Sequence, residues 1–174
     1  MSEHFLTNEA EYWTAFSKIE PLGAQRLKRV KTHFSSMKTA WESGTKSDFI
    51  ESNVEDRIAK VIIEKRPSIH PGQELEALQK ESISLISYLD DQYPKLLKEI
   101  PDHPAILFCR GNLELLQERF PIGVVGTRKM TSYGKEATHK IVGELACAGF
   151  TIISGMAMGI DGEAHIATLK SNGK

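Results

Sequence analysis

Apolar residues recur every three or four positions through residues 9–65, as Leu27, Val30 and Phe34 do, with charged residues between them. That period belongs to short amphipathic helices and predicts an all-helical first segment. Tyr12, Trp13 and Phe16 share the spacing and are expected in its core rather than on a base-stacking surface. Two prolines and a glycine in Lys65-Arg66-Pro67-Ser68-Ile69-His70-Pro71-Gly72 end the run in an exposed connection,. One further helix is predicted over residues 74–80.

Beyond that point the pattern changes. Residues 83–88 and 105–109 are short, apolar and partly β-branched or aromatic, with Pro94, Pro101 and Pro104 punctuating the stretch between them; they predict two strands flanking a brief helix. Residues 122–125 and 150–153 are nearly continuous apolar runs, as parallel strands covered on both faces require. The segment joining them, residues 132–148, carries Ala137, Ile141, Leu145 and Ala148 at helical spacing, while Lys135, Glu136, Lys140 and Glu144 can face water,. Strand, helix and strand then make a right-handed crossover. The fold class is α/β: a helical domain over residues 1–80 and a parallel-sheet domain over residues 81–174.

Composition narrows the function. With 174 residues, 40% hydrophobic and 26% charged, the chain can build one ordinary domain or two small ones,. A net charge of −1 means that any site for a polyanion must be local,. Cys109 and Cys147 lack the paired spacing of a zinc or redox site and are expected as reduced core residues,. The opening MSEHFLTNEAEYW lacks a basic-then-apolar leader, and no stretch approaches the roughly 18 apolar residues of a membrane span,. A soluble cytoplasmic protein is expected.

In an open parallel sheet, ligands bind beyond the carboxyl ends of the strands, where helix N-termini present free amides. Two turns lie there. The first, Val124-Val125-Gly126-Thr127-Arg128-Lys129-Met130-Thr131-Ser132-Tyr133-Gly134, places a glycine, two cations and hydroxyls before a helix. Gly126 would let backbone approach an anion, Thr131 or Ser132 could cap the helix, and Arg128 could grip phosphate oxygens bidentately. The second, Ser154-Gly155-Met156-Ala157-Met158-Gly159-Ile160-Asp161-Gly162-Glu163-Ala164-His165, again follows an apolar strand. Neither is a G-x-G-x-x-G fingerprint or a Walker A loop, and such turns serve dinucleotides, mononucleotides, phosphosugars and nucleic acids alike.

Taken in order, V-G-[ST]-R followed by Y-G, then S-G-x-A-x-G-I-D-x-x-A-H, resemble the two signatures of the DNA-processing protein A (DprA/Smf) family. Tyr93-Pro94, Leu97, Ile100, Asp102, Pro104, Leu107, Phe108 and Gly111 resemble that family's lead-in to its Rossmann-like core, so the resemblance runs unbroken from Tyr93 to His165. It implies a non-enzymatic mediator that binds single-stranded DNA and assists loading of the RecA recombinase during natural transformation, without a cofactor. It also implies a homo-oligomeric full-length form and a Rossmann-like domain cut short here after its first core βαβ unit, with much of the RecA contact in the further part. An uncovered strand edge and apolar face would follow.

The phosphate-binding set carried over by position is Gly126, Thr127, Arg128, Lys129, Ser154, Gly155 and Gly159, with Arg128 touching the DNA backbone. Met158 stands where many relatives have arginine or lysine; it is left open, whereas Met156 is read as packing. Residues 19–34 with Ala40-Trp41 resemble the family's helical hairpin region, although Pro21-Leu22-Gly23-Ala24 has a single glycine and reads as structure rather than as a DNA site. The basic run Arg26, Lys28, Arg29, Lys31 and His33 reads as a solvated face. Asp161 and His165, four apart, lack a third metal ligand; Asp161 is expected to complement the helix start and His165 to pack or hydrogen-bond. Rival readings are a nucleotide or phosphosugar hydrolase on a similar scaffold, whose P-G-G-x-G-T-x-x-E motif is missing, and a structural fragment without activity.

Overall fold

The computed structural model describes residues 9–174. Residues 1–8, which carry most of the leader reading, lie outside the described residues. The chain forms two compact units, one running to Leu113 and the other from Glu114 to Lys174.

In the first unit the helical pattern becomes α1 (Ala10–Ser17), α2 (Ala24–His33), α3 (Met37–Ser43), α4 (Lys46–Glu51), α5 (Asp56–Lys65) and α6 (Pro71–Lys80). Local chemistry sets the ends. Ser36 accepts the Thr39 amide at the start of α3, and Thr45 with Asp48 forms a reciprocal capping box at the start of α4,. Asn53 turns the chain in the left-handed region, φ 61°, between α4 and α5,. Pro71 opens α6, where a missing N–H costs nothing,. The Glu9 carboxylate accepts the amides of Met37 and Lys38, two donors that α3 leaves orphaned,.

Trp13, Phe16, Ile19, Leu27, Val30, Met37, Phe49 and Ile62 fill the core between these helices. The ring of Phe16 meets Trp41 edge to face at 4.9 Å,. Tyr12, Trp13 and Phe16 are all buried, as their spacing indicates.

Two strands, β1 (Ser84–Ser87) and β2 (Ile106–Cys109), pair antiparallel, with Leu85 opposite Phe108. Between them lies α7 (Lys95–Lys98). Leu85 and Ala105 bury themselves in the helical core. The division between compact units therefore falls after Leu113, whereas the pattern change placed a boundary at residue 80.

The second unit holds β3 (Pro121–Gly123), α8 (Ser132–Cys147), β4 (Thr151–Ile153) and α9 (Ile160–Lys170). β3 and β4 are parallel, with Ile122 opposite Ile152, and the Val124 amide extends the ladder to the Ile153 carbonyl. Ile122, Val124, Val142, Ile152, Ala164 and Ala167 make its core. The stripe that α8 buries is Thr138, Val142 and Ala146 rather than the row of Ala137, Ile141, Leu145 and Ala148 that the spacing predicts; Ile141 is 56% exposed and Ala148 is exposed. Thr138 tolerates burial because its hydroxyl donates back to the Gly134 carbonyl, and Ala146, Ala164 and Ala167 let α8 and α9 approach closely,.

Both cysteines are free, but only Cys109 is half-buried; Cys147 is exposed because α8 turns the neighbouring Ala146 inward instead. Val125, in the loop just past β3, is 86% exposed, and Ile153, at the end of β4, is 56% exposed. Among the described residues no helix is long and apolar enough to cross a membrane.

Candidate nucleic-acid interface

The loop after β3 is shaped by its own side chains. Thr127 Oγ1 accepts the Lys129 amide at 3.1 Å and donates to the Lys129 carbonyl at 3.3 Å, which curls residues 127–129 into a tight turn,. Thr131, rather than Ser132, caps α8, accepting the Gly134 amide at 3.1 Å,. The α8 amides of Ser132 and Tyr133 stay unpartnered within the described residues, as first-turn amides do,. Arg128 and Lys129 are exposed, and among the described residues neither side chain has a carboxylate partner. Some cations elsewhere are paired, Arg26 with Glu55, Arg110 with Glu81 and Lys135 with Glu163, but many are not, so it is their place in the loop before α8 that sets Arg128 and Lys129 apart. The run on α2 that reads as a solvated basic face is partly used in the same way, with Arg26 on Glu55, Arg29 on the Asn53 carbonyl and Lys28 over the Tyr88 ring.

The loop after β4 packs on the first. Ser154 donates to the Val124 carbonyl at 2.8 Å, tying the two strand ends together. Met156 occupies the left-handed region, φ 53°, and is 79% exposed, so packing does not account for it; Met158 is equally exposed. Gly159 lies at φ 91°, and a Cβ there would overlap the Thr127 carbonyl oxygen and the Arg128 backbone. A Cβ at Gly126 would fall 2.6 Å from the Ile160 Cβ. These two glycines thus admit the neighbouring loop, and the Ile160 amide donates to the Thr127 carbonyl at 3.1 Å,.

The residues read from sequence therefore converge, but not in equal roles. Arg128 and Lys129 point out of the loops, Thr127 and Ser154 shape them, and Gly126, Gly155 and Gly159 provide the close approach. Asp161 has a role that sequence reasoning missed. It is 5% exposed and accepts the amides of Gly126 and Gly155, each at 3.2 Å, while the cap position of α9 belongs to Gly159, which makes no side-chain cap bond. His165 donates from Nε2 to the Ser154 carbonyl at 3.3 Å, a hydrogen-bonded histidine as expected. Among the described residues no three His, Cys, Asp or Glu side chains are grouped to hold a metal.

Glu163, 8% exposed, faces two donors across the α8–α9 contact: His139 Nε2 at 2.6 Å and Lys135 Nζ at 3.1 Å. The hydrogen bond from His139, then that from Lys135, holds its carboxyl below the ordinary glutamate range. Because its folded value is the lower one, the stabilisation is complete above that ordinary range and is lost as pH falls through the depressed value. The urea midpoint should drop on acidification, and Glu163→Gln should reduce that drop; equal acid sensitivity of parent and variant would refute the assignment.

The class these features define is an α/β protein of Rossmann-like type with two interlocked loops at the carboxyl ends of parallel strands. The chain belongs to the family described as DNA recombination-mediator protein A, whose model matches residues 84–174. It is 35% identical over 170 residues to Protein Smf of Synechocystis, covering 96% of this chain and 43% of that protein. It is 42% identical over 100 residues to DNA processing protein DprA of Bacillus subtilis, covering 58% of this chain and 34% of that protein. The X-ray structure of DNA processing protein A from Streptococcus pneumoniae superposes with a TM-score of 0.73 at 29% identity, over 97% of this chain and 56% of that one. The chain thus spans less than half the length of the two curated relatives.

Proposed function

We propose that this chain is a single-stranded-DNA-binding module of a cytoplasmic recombination mediator, acting with RecA and as a homo-oligomer in its full-length form. The observation that carries the reading is the place of two exposed cations, Arg128 and Lys129, in the loop between β3 and the amides that open α8. A guanidinium, an ammonium and a helix N-terminus together suit consecutive phosphates. Thr127, Ser154, Gly126, Gly155 and Gly159 serve this site by holding the loop that carries the cations. No chemical step belongs to it. Asp161 accepts two backbone amides and Glu163 pairs with His139 and Lys135, which fits structural roles for both carboxylates.

Phosphate contact makes affinity depend on salt and little on base sequence. Two cations on a single strand predict a slope of log K against log salt of roughly −1.4, at about −0.7 per phosphate. Titration of labelled single-stranded oligonucleotide across a salt series, with unlabelled duplex as competitor, tests this. A slope near zero, or displacement by duplex as readily as by single strand, would reject the reading.

A further inference from the structure

We infer that Asp161 is the positioning residue of the phosphate site, setting where Arg128 stands without touching DNA; the inference rests on the DNA-binding reading above. A carboxylate that is 5% exposed must have its lone pairs satisfied, and here both oxygens are: Oδ1 by the Gly126 amide and Oδ2 by the Gly155 amide, each at 3.2 Å,. Those amides lie at the carboxyl ends of two parallel strands, where backbone donors of such folds ordinarily meet a ligand anion. Asp161 takes the place of that anion from inside the fold. The incoming phosphate is therefore left to Arg128, Lys129 and the first amides of α8, further out.

The neighbours of Asp161 act on the same stretch. Ile160 donates its amide to the Thr127 carbonyl at 3.1 Å and covers Gly126, while Gly159 lies against Thr127 and the Arg128 backbone. Residues 159–161 thus grip residues 126–128 at an amide, a carbonyl and a Cα. Arg128 has no side-chain partner among the described residues, so its backbone alone sets its starting point. Ordering that backbone before DNA arrives removes a conformational cost from binding.

Two roles for Asp161 predict opposite signs. Were it only a negative charge near the site, Asp161→Asn would remove repulsion and tighten binding. As a positioning residue it should weaken binding, because the two backbone N–H groups meet different oxygens and an isosteric amide would turn its NH2 towards one of them,.

The test uses the full chain, with Asp161→Asn, Arg128→Ala and the double variant confirmed as folded by circular dichroism, titrated into labelled single-stranded oligonucleotide at low salt. Asp161→Asn should lose about tenfold in affinity, of the order that ordering one backbone residue is worth. Arg128→Ala should cost clearly less in the Asp161→Asn background than in the parent, and the Gly126 and Gly155 amides should exchange hydrogen faster in Asp161→Asn. Unchanged or tighter binding by Asp161→Asn, or losses that simply multiply in the double variant, would overturn the inference while leaving the DNA-binding reading standing. An Arg128→Ala variant that binds as the parent does would instead remove that reading, and this inference with it. Should Asp161→Asn not fold, Ile160→Ala keeps the carboxylate but uncovers Gly126; it must weaken binding in the same direction, and parental affinity would count against the inference.

Discussion

Gly159→Ala should destabilise the second unit by on the order of 2–5 kcal/mol, combining backbone strain with overpacking. At φ 91° an L side chain is disfavoured whatever the space around it,. Here the space is also taken, by the Thr127 carbonyl and the Arg128 backbone, which are not side-chain ends that can swing away. Relief would require the loops after β3 and β4 to separate, breaking the Ile160-to-Thr127 hydrogen bond and pulling Asp161 from one of its two amides. The loss is measured as a shift of the urea midpoint followed by hydrogen exchange in α8 and α9. A variant as stable as the parent would mean that the loops are not interlocked.

The second large effect lies in the helical unit. Phe16 is fully buried and meets Trp41 at 4.9 Å and Phe49 at 6.3 Å, both edge to face. Phe16→Ala should cost about 3–5 kcal/mol, as other large-to-small aromatic deletions do, because rings anchored on α3 and α4 cannot collapse into the space. Against a total of about 5–15 kcal/mol for a typical domain, that is a large fraction. Both tryptophans, Trp13 and Trp41, belong to this core, so tryptophan fluorescence in urea reads the loss directly. A loss below about 1 kcal/mol, the size of an ordinary surface change, would contradict the packing described.

Much of this architecture is legible in the chain because it is local. Leu27, Val30 and Phe34 repeat at the helical period, Pro71 opens a helix, and the apolar runs at residues 122–125 and 150–153 become neighbouring parallel strands. What escaped sequence reasoning depends on partners far along the chain. Asp161 reads as a helix-start carboxylate because nothing near it signals that Gly126, 35 positions earlier, brings an amide to it. The buried stripe of α8 was displaced because Thr138 satisfies its own hydroxyl on Gly134, which no hydrophobic pattern registers. The motif marks Gly126 and Gly159 as positions of close approach, but it is the protein itself that approaches. The room they leave is filled by Ile160 and by the Thr127 and Arg128 backbone. Met156, read as packing, instead stands 79% exposed in a left-handed turn.

The interlocked loops leave Arg128 exposed beside the start of α8, where the proposed function puts it on a DNA phosphate. The most direct test is fluorescence anisotropy of a labelled single-stranded oligonucleotide with the parent chain and with Arg128→Ala at low salt. The parent should bind in a salt-sensitive manner, and the variant about tenfold or more weakly, with the salt slope reduced by about one phosphate's share. Equal affinity and equal slope for the two proteins would contradict it.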